Sequence, residues 1–270
     1  MELLRLGPNL YDGFSLFRNK PHDASVKPIL LCAEDANIAF DQSIVTWRGN
    51  LTKILCTPFL PGQQWAMNCR WVDETLLMED GLSREPMTRN SFVGFKFETL
   101  CMVPHNQELS KLDEGLRQRL TATVSAREEY GVIVEVNLGE IKFLLGAEVD
   151  GLDTDGKTFI ELKTMQNYKL DAQPERMLKY WLQSKLAGVP EILLGIRERS
   201  GRLIKLERYR VAALEGMLRH RGWDPMAVFA FGEQLFGWLS IVLDDQRKPF
   251  RLEYKGNRDY RHIELSIFDQ

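Results

Sequence analysis

Apolar and polar residues alternate along Gly146–Asp150, where Ala147 and Val149 fall opposite Glu148 and Asp150. They alternate again along Phe159–Lys163, where Ile160 and Leu162 fall opposite Glu161 and Lys163. Successive side chains of a strand leave on opposite faces, so the pattern predicts two strands, each projecting a pair of ionisable groups. The Asp- and Gly-rich connector from Gly151 to Lys157 predicts that the two join as a hairpin. Gly131–Asn137 and Glu140–Asp150 read as strands around a Leu138-Gly139 turn. Helical spacing runs from Glu85-Pro86 to Met102, with Phe92, Phe95, Thr99 and Met102 along one side and Pro104 beyond the end. It returns at Pro174–Ala187, with a proline in the first turn and Gly188 past the end.

The remaining pattern adds a short helix between Trp47 and Cys56, with Asn50 or Thr52 as cap and Pro58 as its close. Further strands are predicted at 65–71, 75–78, 192–197, 203–210, 250–254 and 262–268, with a long helix from Asp224-Pro225 to about Leu243. Residues 1–45 look irregular, punctuated by Gly7-Pro8, Pro21 and Pro28, with Ile29–Cys32 as one apolar run. Pro104 to Leu116 reads as a polar loop. The sum is an α+β fold: a single domain, 1–270, with a mixed central sheet flanked by helices.

Length and composition narrow the class. A chain of 270 residues can build one sizeable core. Its four cysteines and four histidines are scattered, which disfavours a zinc site or a disulfide framework and suits a reducing compartment, nucleus or cytoplasm. No segment approaches the roughly 18 apolar residues of a membrane span, so no membrane association is expected. The net charge of −3 argues against a protein that coats duplex DNA. It leaves room for a nuclease that grips one strand end through a local basic lining and a metal.

Glu148, Asp150 and Glu161 place three carboxylates beside the Lys163 ammonium. Carboxylates a few ångströms apart repel by several kcal/mol, about 4 at an effective dielectric near 20. A cation among them relieves that repulsion, and oxygen ligation suits Mg²⁺ or Mn²⁺. The bland alternative is a structural ion pair with Lys163, which leaves surplus carboxylate unexplained. The order helix, strand, strand, strand, helix, strand matches the core of nucleases with a D…(D/E)-x-K signature, here Asp150…Glu161-x-Lys163.

Further segments sharpen the match. Ile44-Val45-Thr46-Trp47-Arg48-Gly49 with Leu51-Thr52-Lys53, Gly94-Phe95-Lys96-Phe97-Glu98, the two strand segments, and Leu178–Ser184 with Gly188-Val189-Pro190 together resemble the DXO-type decapping exoribonucleases. The likeness runs from about residue 44 to 199, echoes in Gly222–Pro225, and fits residues 1–43 poorly, so the core is placed at about 44–210. The resemblance implies one or two Mg²⁺ or Mn²⁺ ions held by Glu98, Asp150 and Glu161, with Glu148 acting through a bound water and Leu162 through its main-chain carbonyl. It implies that Arg48, Lys163 and Gln183 meet substrate phosphates. It also implies hydrolysis of RNA 5′ ends: removal of incomplete or atypical caps, nicotinamide-dinucleotide caps included, of triphosphate ends, and 5′→3′ degradation. A related yeast protein binds a large 5′→3′ exoribonuclease, the implied protein partner. Two alternatives stay open at this level: a DNA-cleaving nuclease of the same core, and a partner or activator of such an exoribonuclease.

Overall fold

The computed structural model describes residues 2–20, 23–82, 87–103, 112–127, 129–166, 169–243, 247–256 and 262–268. The helices are α1 (Glu2–Leu6), α2 (Lys27–Asp35), α3 (Arg48–Leu55), α4 (Arg89–Cys101), α5 (Leu112–Thr121), α6 (Pro174–Leu186), α7 (Val211–His220) and α8 (Ala227–Leu243). The strands are β1 (Ser43–Trp47), β2 (Trp65–Val72), β3 (Thr75–Asp80), β4 (Tyr130–Leu138), β5 (Ile141–Val149), β6 (Gly151–Leu152), β7 (Phe159–Gln166), β8 (Glu191–Arg197), β9 (Leu203–Arg210), β10 (Phe250–Tyr254) and β11 (Glu264–Ile267).

Among the described residues the strands divide between two sheets, one ordered β11-β10-β2-β3-β1-β5-β4 and one ordered β6-β7-β8-β9. Both are mixed: β1 runs parallel to β3 and β5, and β7 runs parallel to β8. The largest apolar cluster fills the space between the large sheet, one face of the small sheet and helices α3, α6, α7 and α8. Leu51, Phe143, Trp181, Ile192 and Leu214 belong to it. On the far side of the large sheet, Ile29 and Ala33 of α2 pack against Val45, Leu77 and Leu144. On the other face of the small sheet, Val93, Phe97 and Leu100 of α4 pack against Leu162 and Leu203.

The mixed α+β architecture holds, and four local expectations are corrected. Residues 146–150 and 159–163 do not form a hairpin. Both edges of β5 are taken, by β1 and by β4, and the hairpin partner of β7 is the short β6, with Gly151 opposite Ile160. The chain changes sheets at Asp150. Residues 1–45 are not irregular throughout, because Ile29–Cys32 lies within α2 and Ser43–Trp47 is an inner strand. Asn50 and Thr52 do not cap α3, which starts straight after β1; Asn50 instead donates to Thr46 Oγ1 at 3.2 Å and Thr52 to the Arg48 carbonyl at 2.9 Å. Residues 112–116 of the expected loop are helical. Glu85-Pro86, Pro21 and the stretch 104–111 lie outside the described residues. The N-cap of α4 is Thr88, whose hydroxyl accepts the Ser91 N–H at 3.1 Å.

The seating of α4 depends on a close approach. A Cβ at Gly195 of β8 would lie 2.7 Å from Phe97 Cε2 and 3.1 Å from Leu203 Cδ1. Gly195→Val is therefore expected to lift α4 off the small sheet and to cost about 1–3 kcal/mol, measured as a lowered urea midpoint. An unchanged midpoint would show that α4 is not seated through this contact.

Candidate active site

Asp150 stands where the chain leaves β5 for β6, and its Oδ2 accepts the Leu162 N–H of β7. The N–H and C=O of a strand residue leave on the same edge, so the Leu162 carbonyl faces the same gap. Glu161, next along β7, is 0% exposed. One of its oxygens accepts from Lys163 Nζ, and the other accepts from Arg48 Nη1 at 3.2 Å. The strand alternation read from sequence thus puts Glu161 and Lys163 on one face in direct contact. Arg48, at the first position of α3, also donates to the Gln183 main-chain carbonyl of α6 at 3.3 Å. A single guanidinium joins α3, β7 and α6.

Glu98 enters from α4, whose apolar side holds it over the small sheet. A Cβ at Gly94 would meet only Glu98 Oε1, at 3.9 Å. The glycine therefore leaves open space beside the carboxylate. Glu98, Glu148 and Asp150 line a cleft of about 820 Å³ together with Phe95, Arg127 and Tyr130.

The electrostatics separate these acids into two groups. Burial, then the charges of Asp150 and Glu148, push Glu98 up to about 8. Burial, then Glu129 and Asp150, push Glu148 up to about 7. Burial raises Asp150 to about 6, with Lys163 opposing. Glu161 moves the other way: burial favours its neutral form, but Lys163 and Arg48 outweigh that and hold it below the usual carboxylate range. Burial would lower Lys163, and the charges of Glu161 and Asp150 more than reverse it. Glu161 is thus neutralised from within the chain. Glu98, Glu148 and Asp150 are left crowded, the state that an added cation relieves. The donors are all oxygen, the set that hard divalent cations take. Among the described residues no three acidic, histidine or cysteine side chains already stand in a coordinating cluster.

All the residues singled out from sequence fall around this junction. Arg48 contacts Glu161, and Gln183 meets Arg48 through its main chain. The sequence reading missed Lys20 and Glu129, which pair with each other and act in opposite directions on Glu148. Lys20 follows a bridge between Arg18 and Ser125, a long-range pairing that leaves no periodic trace. Of the cysteines, Cys56 and Cys69 are buried, Cys101 is half-buried and Cys32 is exposed.

Comparison with known proteins gives a consistent picture. Decapping nuclease RAI1 of Emericella nidulans is 27% identical over 269 residues, spanning 89% of this chain and 74% of its own. The crystal structure of Schizosaccharomyces pombe Rai1 in complex with 3′-FADP aligns with a TM-score of 0.82 at 26% identity, covering 97% of this chain and 84% of that one. Candida albicans Rai1 in complex with pU5 and Mn²⁺ shares the fold, with a TM-score of 0.81 at 21% identity over 98% of this chain and 81% of that one. A family model for RAI1-like PD-(D/E)XK nucleases matches residues 3–269, and the chain belongs to that family.

Proposed function

We propose that the chain hydrolyses RNA 5′ ends in a divalent-metal-dependent reaction. Its substrates are incomplete or atypical caps, nicotinamide-dinucleotide caps among them, and triphosphate ends, with 5′→3′ exoribonuclease activity at monophosphate ends. The observation that carries this reading is the crowding of Glu98, Glu148 and Asp150, all with raised pKa, beside the Glu161–Lys163–Arg48 group. The decapping nuclease relative, and neighbours crystallised with 3′-FADP and with pU5 and Mn²⁺, support the substrate class. Work inside the cell, in nucleus or cytoplasm, and pairing with a large 5′→3′ exoribonuclease belong to the same proposal. Co-purification tests the pairing.

Glu98, Asp150 and Glu161, with Glu148 and the Leu162 carbonyl, would hold one or two Mg²⁺ or Mn²⁺ ions, which acidify a water and offset charge on a phosphate under attack. The chain's own cations complement that chemistry. Lys163 is 22% exposed at its side chain and reaches the gap from Glu161, so it can donate to a non-bridging phosphate oxygen or orient the attacking water. Arg48 offers further donors of a permanently charged planar fork, anchored on Glu161 and Gln183. Gln183 presents a neutral amide on the same side of α6 as Lys179. Fixing these donors before substrate arrives removes reorganisation at the moment of reaction.

Two measurements follow. Glu161→Ala with Asp150→Ala should lower release of caps and terminal phosphates by roughly 10³-fold. The assay offers capped, nicotinamide-dinucleotide-capped, triphosphate and monophosphate RNAs with Mg²⁺ or Mn²⁺ and identifies the groups released. Unchanged turnover in the double variant, or internal DNA cleavage indifferent to RNA ends, would sink the proposal. The second concerns pH. Folded Glu98, Glu148 and Asp150 keep protons up to about 8, 7 and 6 that the unfolded chain gives up near the ordinary carboxylate values. Metal-free protein should therefore lose thermal stability as pH rises through that window. Ligands must be ionised to bind metal, so the rise in Tm produced by Mn²⁺ should grow over the same range and shrink in Glu98→Gln. A metal-induced rise independent of pH would contradict the ligand assignment.

A further inference from the structure

The helix that carries Glu98 holds a second ionisable group, Lys96, that the proposed reaction does not use. Lys96 is 2% exposed, and among the described residues no carboxylate pairs with it. A buried ammonium without a counter-charge is costly to maintain. The end of another helix offsets that cost here. Lys96 Nζ donates to the Leu120 carbonyl at 2.8 Å, in the last turn of α5. Carbonyls there lack partners within their own helix and form the negative pole of its dipole. The arrangement is reciprocal: Arg119 of α5 donates through Nε to the Leu100 carbonyl at 3.3 Å, in the last turn of α4. Each helix supplies the cation that caps the other.

These two bonds bracket Glu98. Lys96 and Leu100 lie four residues apart on one side of α4, whereas Glu98, midway between them, is turned from each by about 200°. Phe95, Glu98, Thr99 and Met102 line the acidic cleft. The other contacts that seat α4 are largely apolar. Val93, Phe97 and Leu100 cluster with Leu162 and Leu203 of the small sheet, and Phe14 and Phe17 pack on Phe92 and Phe95. Apolar contact is non-directional, so it fixes the height of a helix better than its rotation about its own axis. Hydrogen bonds at two points four residues apart fix the rotation as well. We propose that Lys96 and Arg119 are positioning residues that set the rotation of α4, and with it the direction in which Glu98 offers its carboxylate to a divalent cation. The inference rests on the metal-site reading above.

The test is a double-mutant cycle read as Mn²⁺ affinity, by titration of the full chain at one pH with no RNA present. Glu98→Gln should weaken Mn²⁺ binding. Lys96→Met should weaken it by at least about 10-fold, the loss usual when a group that supports a metal ligand is removed. In the Glu98→Gln background Lys96→Met should cost little more, because it acts through a carboxylate already removed. Lys96→Arg keeps a donor for the Leu120 carbonyl and should retain most of the affinity. Arg119→Met should repeat the pattern of Lys96→Met, and it carries the test if that buried variant fails to fold. Unchanged affinity in folded Lys96→Met, an equal loss in the Glu98→Gln background, or a loss in Lys96→Arg as large as in Lys96→Met overturns the proposal. The cycle also separates the two claims. If Glu98→Gln binds Mn²⁺ as wild type does, the ligand assignment falls and the proposal with it; if Glu98→Gln weakens binding and folded Lys96→Met does not, only the positioning role falls.

Discussion

The site gathers more negative charge than its own cations neutralise, and much of the surrounding architecture serves to hold that imbalance in place. Lys163 and Arg48 satisfy Glu161 from both sides of one carboxylate. Among the described residues no ion pair of that kind is formed by Glu98, Glu148 or Asp150, which burial and mutual repulsion push up to about 8, 7 and 6. Acids held in this way cost a free protein stability, and a divalent cation placed among them would offset that cost, the basis of the proposed metal site.

Holding the acids together requires elements distant in sequence. β5 is paired on both edges and cannot drift. Asp150 lies at its end, tied to β7 by the Leu162 N–H. Glu98 is kept in range because Phe97 packs where Gly195 has no side chain. Arg48 follows β1 without a loop, so an inner strand of the large sheet aims a guanidinium at the small sheet. The site occupies the seam where one sheet hands the chain to the other, with backbone ladders bracing it on two sides.

Charge is segregated at close range. The cleft lined by Glu98, Glu148 and Asp150 and the cleft lined by Arg176, Lys179 and Arg197 abut different halves of α4. A net charge of −3 conceals both.

What the chain declared by itself is what short-range periodicity encodes. Alternation by two placed Glu148 with Asp150 and Glu161 with Lys163. Proline and glycine punctuation marked α6, and a helical spacing carried Glu98. Side-chain facing is a property of a few consecutive residues, so one sequence suffices to read it. Pairing partners are not such a property. The expected hairpin failed because β4, just before β5 in the chain, and β1, far upstream of it, hold both of its edges, and α2 and β1 went unseen because their apolar faces are legible only against the elements that cover them. The contact of Arg48 with Glu161, the Lys20–Glu129 pair beside Glu148, and the buried Lys96 each join segments more than a hundred residues apart or depend on burial. Only the tertiary structure decides these, because Coulomb energy and desolvation depend on distance and depth in space, and neither is written along the chain.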